Sequence, residues 1–217
     1  MVNGLSQAVR AQVEGEDMRV RVLDAAEEVF AERGYAGAST RLIAAQAGIQ
    51  KRMLFYYFPN KETLYVAVLE RLVAGLVEIH QQFRGDPGPV GLAEAVDGIT
   101  AFVAARPAAL RVLVREIMDA GPHLPWLVRD YLAPLFARGA EEVQRNVDQG
   151  VFRPSDPMHT LMNVGGLTLY YFLMAPLLRL VWERDPLAPA TLADRVAAVR
   201  DLLMHGLVQP TALEEGS

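Results

Sequence analysis

Between Arg33 and Lys61 the chain carries five basic side chains, Arg33, Arg41, Lys51, Arg52 and Lys61, and no acidic one. Guanidinium and ammonium groups at that density can neutralise phosphates, and they can also donate to guanine O6 and N7 in a major groove. Tyr56 and Tyr57 add hydroxyls able to donate to phosphate oxygens. The window holds +5 against −5 for the whole chain, which leaves −10 for the rest. A small basic head on an acidic body produces that asymmetry, and so does a chance gap in acidic residues. Charge alone leaves both readings open.

The other chemistry-bearing residues do not assemble into a catalytic or metal site. There is no cysteine, which removes disulfides, thiolate catalysis and cysteine-ligated metal, and agrees with a cytoplasmic protein. His80, His123, His159 and His205 fall in separate segments without ligand spacing. The chain has no glycine-rich phosphate loop, no Gly-x-Ser-x-Gly elbow and no His-Glu-x-x-His pair. The carboxylate pairs Glu27-Glu28, Glu141-Glu142 and Glu214-Glu215 read as solvated charges. The expectation is a protein that is not an enzyme and needs neither metal nor cofactor.

The elements that must position the basic window read as helices. With 52% hydrophobic and 22% charged residues over 217 positions, the composition is globular and argues against disorder. No stretch alternates with a period of two, so the chain should be all-α. Residues 1–16 lack the apolar run of a secretory leader and read as a flexible tail. Val22, Leu23, Ala26, Val29 and Phe30 form the apolar stripe of a first helix over about Asp17–Arg33, closed by Gly34. Thr40–Ala47 and Gln50–Tyr57 follow as short helices, separated by Gly48 and stopped by Pro59. Asn60 caps a fourth helix running to about Phe83. Further helices should cover Gly91–Ala105, a segment opening on Pro107, one from Pro125 to Gly150, one from Asp156-Pro157 bent at Pro176, and a last one through Leu192 and Leu207.

The pair of short helices meets the demands of a helix-turn-helix. Ala44 is small enough for close crossing, Gly48 can adopt a left-handed turn, and Ile43, Ala47, Ile49 and Leu54 can hold the second helix at a fixed angle. At about 100° per residue, an inward Leu54 turns Arg52, Phe55 and Tyr56 outward, with Lys51 and Met53 at the edges. Lys61 adds a cation where the first amides of the fourth helix are free. An unrelated pair of bundle helices would satisfy the same apolar pattern.

The run from Gly34 to Glu62, with Val22–Gly34 before it, closely resembles the DNA-binding domain of the TetR/AcrR transcriptional repressors. The likeness in motif spans about Met18–Val68. It implies a nine-helix fold with an N-terminal three-helix DNA-binding domain over 17–60, a ligand-binding and dimerising body over 61–208, and a flexible tail over 209–217. Position by position it implies base contacts for Arg41, Lys51, Arg52 and Met53, and backbone contacts for Ser39, Thr40, Tyr56, Tyr57 and Lys61. Gln50, Arg52 and Phe55 depart from the family's common serine, glycine and tyrosine. Phe55 has no hydroxyl, so the phosphate bond usual at its position is absent.

In the body, Leu161, Gly165, Gly166, Leu169, Leu173, Val196, Val199 and Leu203 could form a homodimer interface or plain core; the resemblance favours a homodimer, and two-fold symmetry a palindromic operator. Phe102, Met118, Trp126, Tyr131, Met162, Tyr170 and Met174 could line a pocket for a hydrophobic effector. Thr160–Leu178 lacks charge for 19 residues, but its glycines, Asn163 and Pro176 favour burial among helices over a membrane span. The combined expectation is a ligand-responsive repressor bound to double-stranded operator DNA in the cytoplasm. The alternative is a ligand-binding helical protein of the same fold without DNA-binding activity.

Overall fold

A computed structural model of the chain describes the backbone of residues 2–82 and 88–210 and the side chains of residues 15–81 and 88–210. Among the described residues the regular structure is helical, apart from one isolated antiparallel bridge between Phe152 and Val208. The helices are α1 (Val2–Gly37), α2 (Thr40–Gln46), α3 (Lys51–Tyr57), α4 (Lys61–Gln82), α5 (Pro89–Ala105), α6 (Pro107–Met118), α7 (Leu124–Leu127), α8 (Ala133–Asp148), α9 (Pro157–Val181) and α10 (Pro189–Leu207). A π-helical turn, Val128–Leu132, joins α7 to α8 without a break, so the described residues form nine helical rods, as the resemblance implied. Pro134 explains the turn. It has no N–H for the α-helical ladder, and the widened turn ahead of it, where the Ala133 amide donates to Val128 C=O, takes up the mismatch.

The first helix differs from expectation at its start. It begins at Val2 rather than about Asp17, because residues 2–16 contain no proline and consist largely of good helix formers. Its end agrees, since Gly34 leaves helical geometry at φ 68° and ψ 174° before one more turn closes at Gly37. α5 and α10 begin earlier than their apolar stripes because each opens on a proline whose fixed φ suits a first helical position. Met1, residues 83–87 and the tail segment 211–217 lie outside the described residues.

The chain divides into two compact units, 1–72 with 111–123, and 73–110 with 124–217. The first is wider than the 17–60 head, for it takes in much of α4 and the end of α6. Its core joins Val22, Ala26, Val29 and Phe30 of α1 to Ile43, Ala44, Leu54, Phe58, Leu64, Val68 and Leu72, all buried. The Tyr65 ring stands edge-on to Phe30 at 4.9 Å, and its hydroxyl donates to Glu116 Oε2 at 2.8 Å in a buried bond. The other Glu116 oxygen accepts the His123 amide at 2.7 Å. Arg71 ties α4 to α1 through Glu27 and, at 2.8 Å, through Asp24.

In the second unit α9 packs against α5 and α8, and α10 against α5. One apolar cluster gathers Val143, Phe152, Leu207 and Val208, and another Val96, Val199 and Leu203. Asp156 caps α9 by accepting the His159 amide at 2.9 Å.

Removing the Tyr65 hydroxyl should leave the buried Glu116 carboxyl one donor short. Tyr65→Phe is therefore expected to lower the unfolding free energy by about 1–3 kcal/mol in urea titrations, with the helical circular-dichroism signal retained below the transition.

Candidate nucleic-acid interface

Local chemistry sets each boundary of the α2–α3 unit. Ser39 sits in an extended conformation and its Oγ accepts the Leu42 amide at 3.2 Å, which starts α2. Gly48, at φ 68°, takes the left-handed step that a side chain would resist, and the Ile49 amide then closes on Ala44 C=O at 2.9 Å. Gln50 precedes α3 in an extended conformation without a side-chain cap, so α3 begins one residue later than the sequence suggested. Asn60 Oδ1 accepts the Thr63 amide at 2.8 Å and starts α4 as expected.

Within α3 only Leu54 is buried, at 0% exposure. The periodicity then turns the remaining side chains outward. Lys51, Arg52 and Met53 are exposed, as are Phe55 and, at 80%, Tyr56; Tyr57 is half-buried. On α2, Arg41 is exposed and Thr40 half-buried, while Ser39 is exposed beside it. The four residues expected to read bases are all exposed, as are Ser39 and Tyr56 of the five expected to meet the backbone, whereas Thr40, Tyr57 and Lys61 are half-buried. The exposed side chains of α2 and α3 include three cations, two aromatic rings and a thioether, with no carboxylate between Arg33 and Lys61.

Two positioning interactions had no sequence signature. Arg21 on α1 reaches across 26 positions so that Nη2 donates to Ala47 C=O at 3.0 Å, which fixes the end of α2 where the turn begins. Lys61 Nζ donates to Tyr35 C=O at 2.8 Å and Ala38 C=O at 3.1 Å, and lies 4.3 Å from the Tyr35 ring centre. The Lys61 ammonium thus holds the end of α1 against the start of α4. Burial, aided by the Glu62 charge, pushes the Tyr35 hydroxyl above its ordinary range. Burial and then the Glu116 bond push Tyr65 further. Both stay neutral hydroxyls through any physiological pH.

The second unit brings the body residues together only in part. Val199 and Leu203, candidates for a subunit interface, are core of their own chain, buried against Val96. Leu161 likewise packs on the bare backbone of Gly139, where an added Cβ would lie 2.9 Å from Leu161 Cδ2. The apolarity of these positions serves intrachain packing. Leu169, Leu173 and Val196 are half-buried, and Gly165 and Gly166 have nothing within 4 Å of where a Cβ would stand. Of the pocket candidates, Tyr170 and Met174 line an open groove of about 770 Å³ between α9 and α10, with Trp182, Arg184 and Arg195. Trp126 and Tyr131 pair edge-to-face at 5.5 Å, Phe102 packs tightly on Gly75, Met162 is exposed, and Met118 is exposed in the first unit.

α9 is long and apolar enough to cross a membrane, with a mean hydropathy of 1.5 over a stretch of which 22% is buried. Burial among helices therefore accounts for one face, through Thr160, Thr168, Tyr171, Phe172 and Ala175, and leaves the opposite face bare. Among the described residues no group of three His, Asp or Glu could hold a metal.

A sequence-family model described as bacterial regulatory proteins, tetR family, matches residues 22–68, and another, described as tetracyclin repressor-like, C-terminal domain, matches residues 89–203. The chain belongs to the TetR family of transcriptional regulators. The HTH-type transcriptional regulator RutR of Escherichia coli is 30% identical over 176 residues, which cover 81% of this chain and 80% of RutR. A crystal structure of the putative regulator SCO4942 from Streptomyces coelicolor superposes with a TM-score of 0.68 at 25% identity, covering 89% of this chain and 99% of that one. AibR, solved in complex with isovaleryl coenzyme A and operator DNA, has the same fold, with a TM-score of 0.65 at 18% identity and coverage of 85% and 97%. As a TetR-family chain, this protein is all-α with a helix-turn-helix at α2–α3.

Leu54→Ala should remove the anchor of α3. The expected cost is about 2–5 kcal/mol of stability, read in chemical denaturation, together with a fall in duplex binding that is larger than the stability change accounts for.

Proposed function

We propose that this TetR-family regulator is a cytoplasmic repressor that binds a palindromic operator as a homodimer and is released by a hydrophobic small molecule. The observation that carries the DNA half is the α3 surface, where burial of Leu54 alone leaves Lys51, Arg52, Met53, Phe55 and Tyr56 facing outward. Arg41, Lys51, Arg52 and Met53 are the proposed base contacts. Ser39, Thr40, Tyr56 and Tyr57 are the proposed backbone contacts, and Lys61 contributes charge from its place at the start of α4. Selecting bound sequences from a random duplex library tests this directly. A palindromic site with steeply salt-dependent affinity is expected; flat, weak binding would instead favour a ligand-binding protein of the same fold without DNA-binding activity.

Arg52 is the residue on which sequence preference should turn, being the long donor opposite Leu54. Arg52→Ala is expected to cost about 1–3 kcal/mol of discrimination between operator and random DNA for each bidentate guanine pairing it removes. An unchanged specificity ratio in competition binding would overturn the assignment.

For the homodimer the supporting feature is the bare face of α9, where Met158, Met162, Tyr170, Leu177 and Leu180 are exposed and Gly165 and Gly166 are open. An apolar stripe of this length is costly in water and suits self-association. A Cβ at Gly166 would have nothing within 4 Å in its own chain, so Gly166→Trp should fold normally yet run as a monomer in light scattering and lose cooperative operator binding. A variant that remains dimeric would exclude this face.

Effector release needs a ligand that binds the DNA-free conformation more tightly. The apolar groove beside Tyr170 and Met174 supports an effector of hydrophobic character. The tetracyclin repressor-like description of the matched body supports repression as the sign of control. Titrating apolar small molecules against a preformed operator complex should release DNA; if none changes operator affinity, the sensor half falls.

A further inference from the structure

We infer that Phe55 is a specificity-determining residue that reads the 5-methyl group of a thymine in each half-site, with Lys51 held over its ring. The inference rests on the DNA reading of α3 and goes beyond it, because Phe55 was expected only to lack a phosphate bond. Phe55 keeps 39% of its surface exposed although the helix has a buried side available at Leu54. Its ring is not bare, however. Lys51, four residues earlier and hence on the same flank of α3, places Nζ 5.4 Å from the ring centre.

That pairing has two consequences. The lysine is pre-oriented along the flank instead of sweeping through solvent, so less freedom is given up when it donates to a base edge. One side of the phenyl ring is occupied by a cation, and the exposed remainder is purely hydrocarbon. With no hydroxyl, Phe55 can neither donate to a phosphate nor accept from a base. Among the groups a major groove presents, the thymine methyl is the one apolar feature such a surface can cover with gain. Arg52 and Tyr56 point away from Leu54, and Phe55 lies between that face and Lys51, so its meeting with the methyl falls beside the bases that the cations approach. Four residues of helix advance about 6 Å, or roughly two base steps of about 3.4 Å. The thymine should therefore lie within about two steps of the guanine that Lys51 meets.

The experiment uses the full-length protein and the operator recovered by selection. Each thymine is replaced singly by deoxyuridine, which removes the methyl and nothing else. One thymine per half-site is expected to lower wild-type affinity about fourfold per methyl removed, and that position should lie within two steps of a guanine whose 7-deaza analogue weakens wild type but not Lys51→Ala. Phe55→Ala, at an exposed site, should fold as wild type, bind the thymine operator more weakly and be indifferent to deoxyuridine there; Phe55→Leu should retain part of the methyl effect. If no thymine is sensitive in the wild type, or if Phe55→Ala keeps the full sensitivity, the proposal is overturned while the repressor reading stands. If the wild type shows no sequence-selective, salt-dependent binding, both fall together.

Discussion

The burial of Leu54 is the constraint on which the rest of the head depends. Helices of seven residues do not persist in water by themselves, and α3 buries only this one side chain along its length. Its orientation therefore follows from that burial and from how α2 leads into it: the small buried residues Ala44 and Ala47, the left-handed step at Gly48, and Arg21 closing the end of α2. Phe58, buried directly after the helix, holds the other end. With both ends held from outside, the α3 side chains of Lys51, Arg52, Met53, Phe55 and Tyr56 are left exposed. A surface can then vary in chemistry from one sequence to another while the scaffold beneath it stays the same.

The charge asymmetry of the chain acquires a physical form in the first unit. Three carboxylates of this unit are occupied within the fold. Asp24 and Glu27 bind Arg71, and Glu116 is enclosed with Tyr65 and the His123 amide. These interactions stabilise the fold and also keep those three carboxylates from opposing the field of Arg41, Lys51 and Arg52. Paired charges are short-ranged, whereas the exposed cations are not.

Much of this is legible from residues alone, because the head is built from local rules. The cap at Ser39, the turn glycine, the inward Leu54 and the stop at Pro59 are each decided within a few positions, and the helix-turn-helix follows from them. Arg21 and Lys61 are not legible as clamps, because their acceptors are main-chain carbonyls, which carry no residue identity to pair with. The body is harder for another reason. Apolar side chains on α9 and α10 look alike in sequence whether they face their own chain, as Val199 and Leu203 do, or open space, as Met162 and Leu180 do. Hydrophobicity states that burial is favourable and is silent about which surface supplies it. The early start of α1 escapes a search for apolar stripes, because Val2–Glu16 has helical propensity without one.

The π turn at Val128–Leu132 amounts to one residue inserted into an otherwise regular rod. Everything on its amino-terminal side is rotated by about 100° relative to an unbroken α-helix, so Trp126 and Leu127 are not in phase with the stripe that α8 presents from Val143. A helical wheel drawn through the whole segment would assign those residues to the wrong side. Deleting one residue inside this turn would restore a regular α-helix with both arms in their present phase, whereas a deletion elsewhere in the rod would rotate one arm against the other by about 100°.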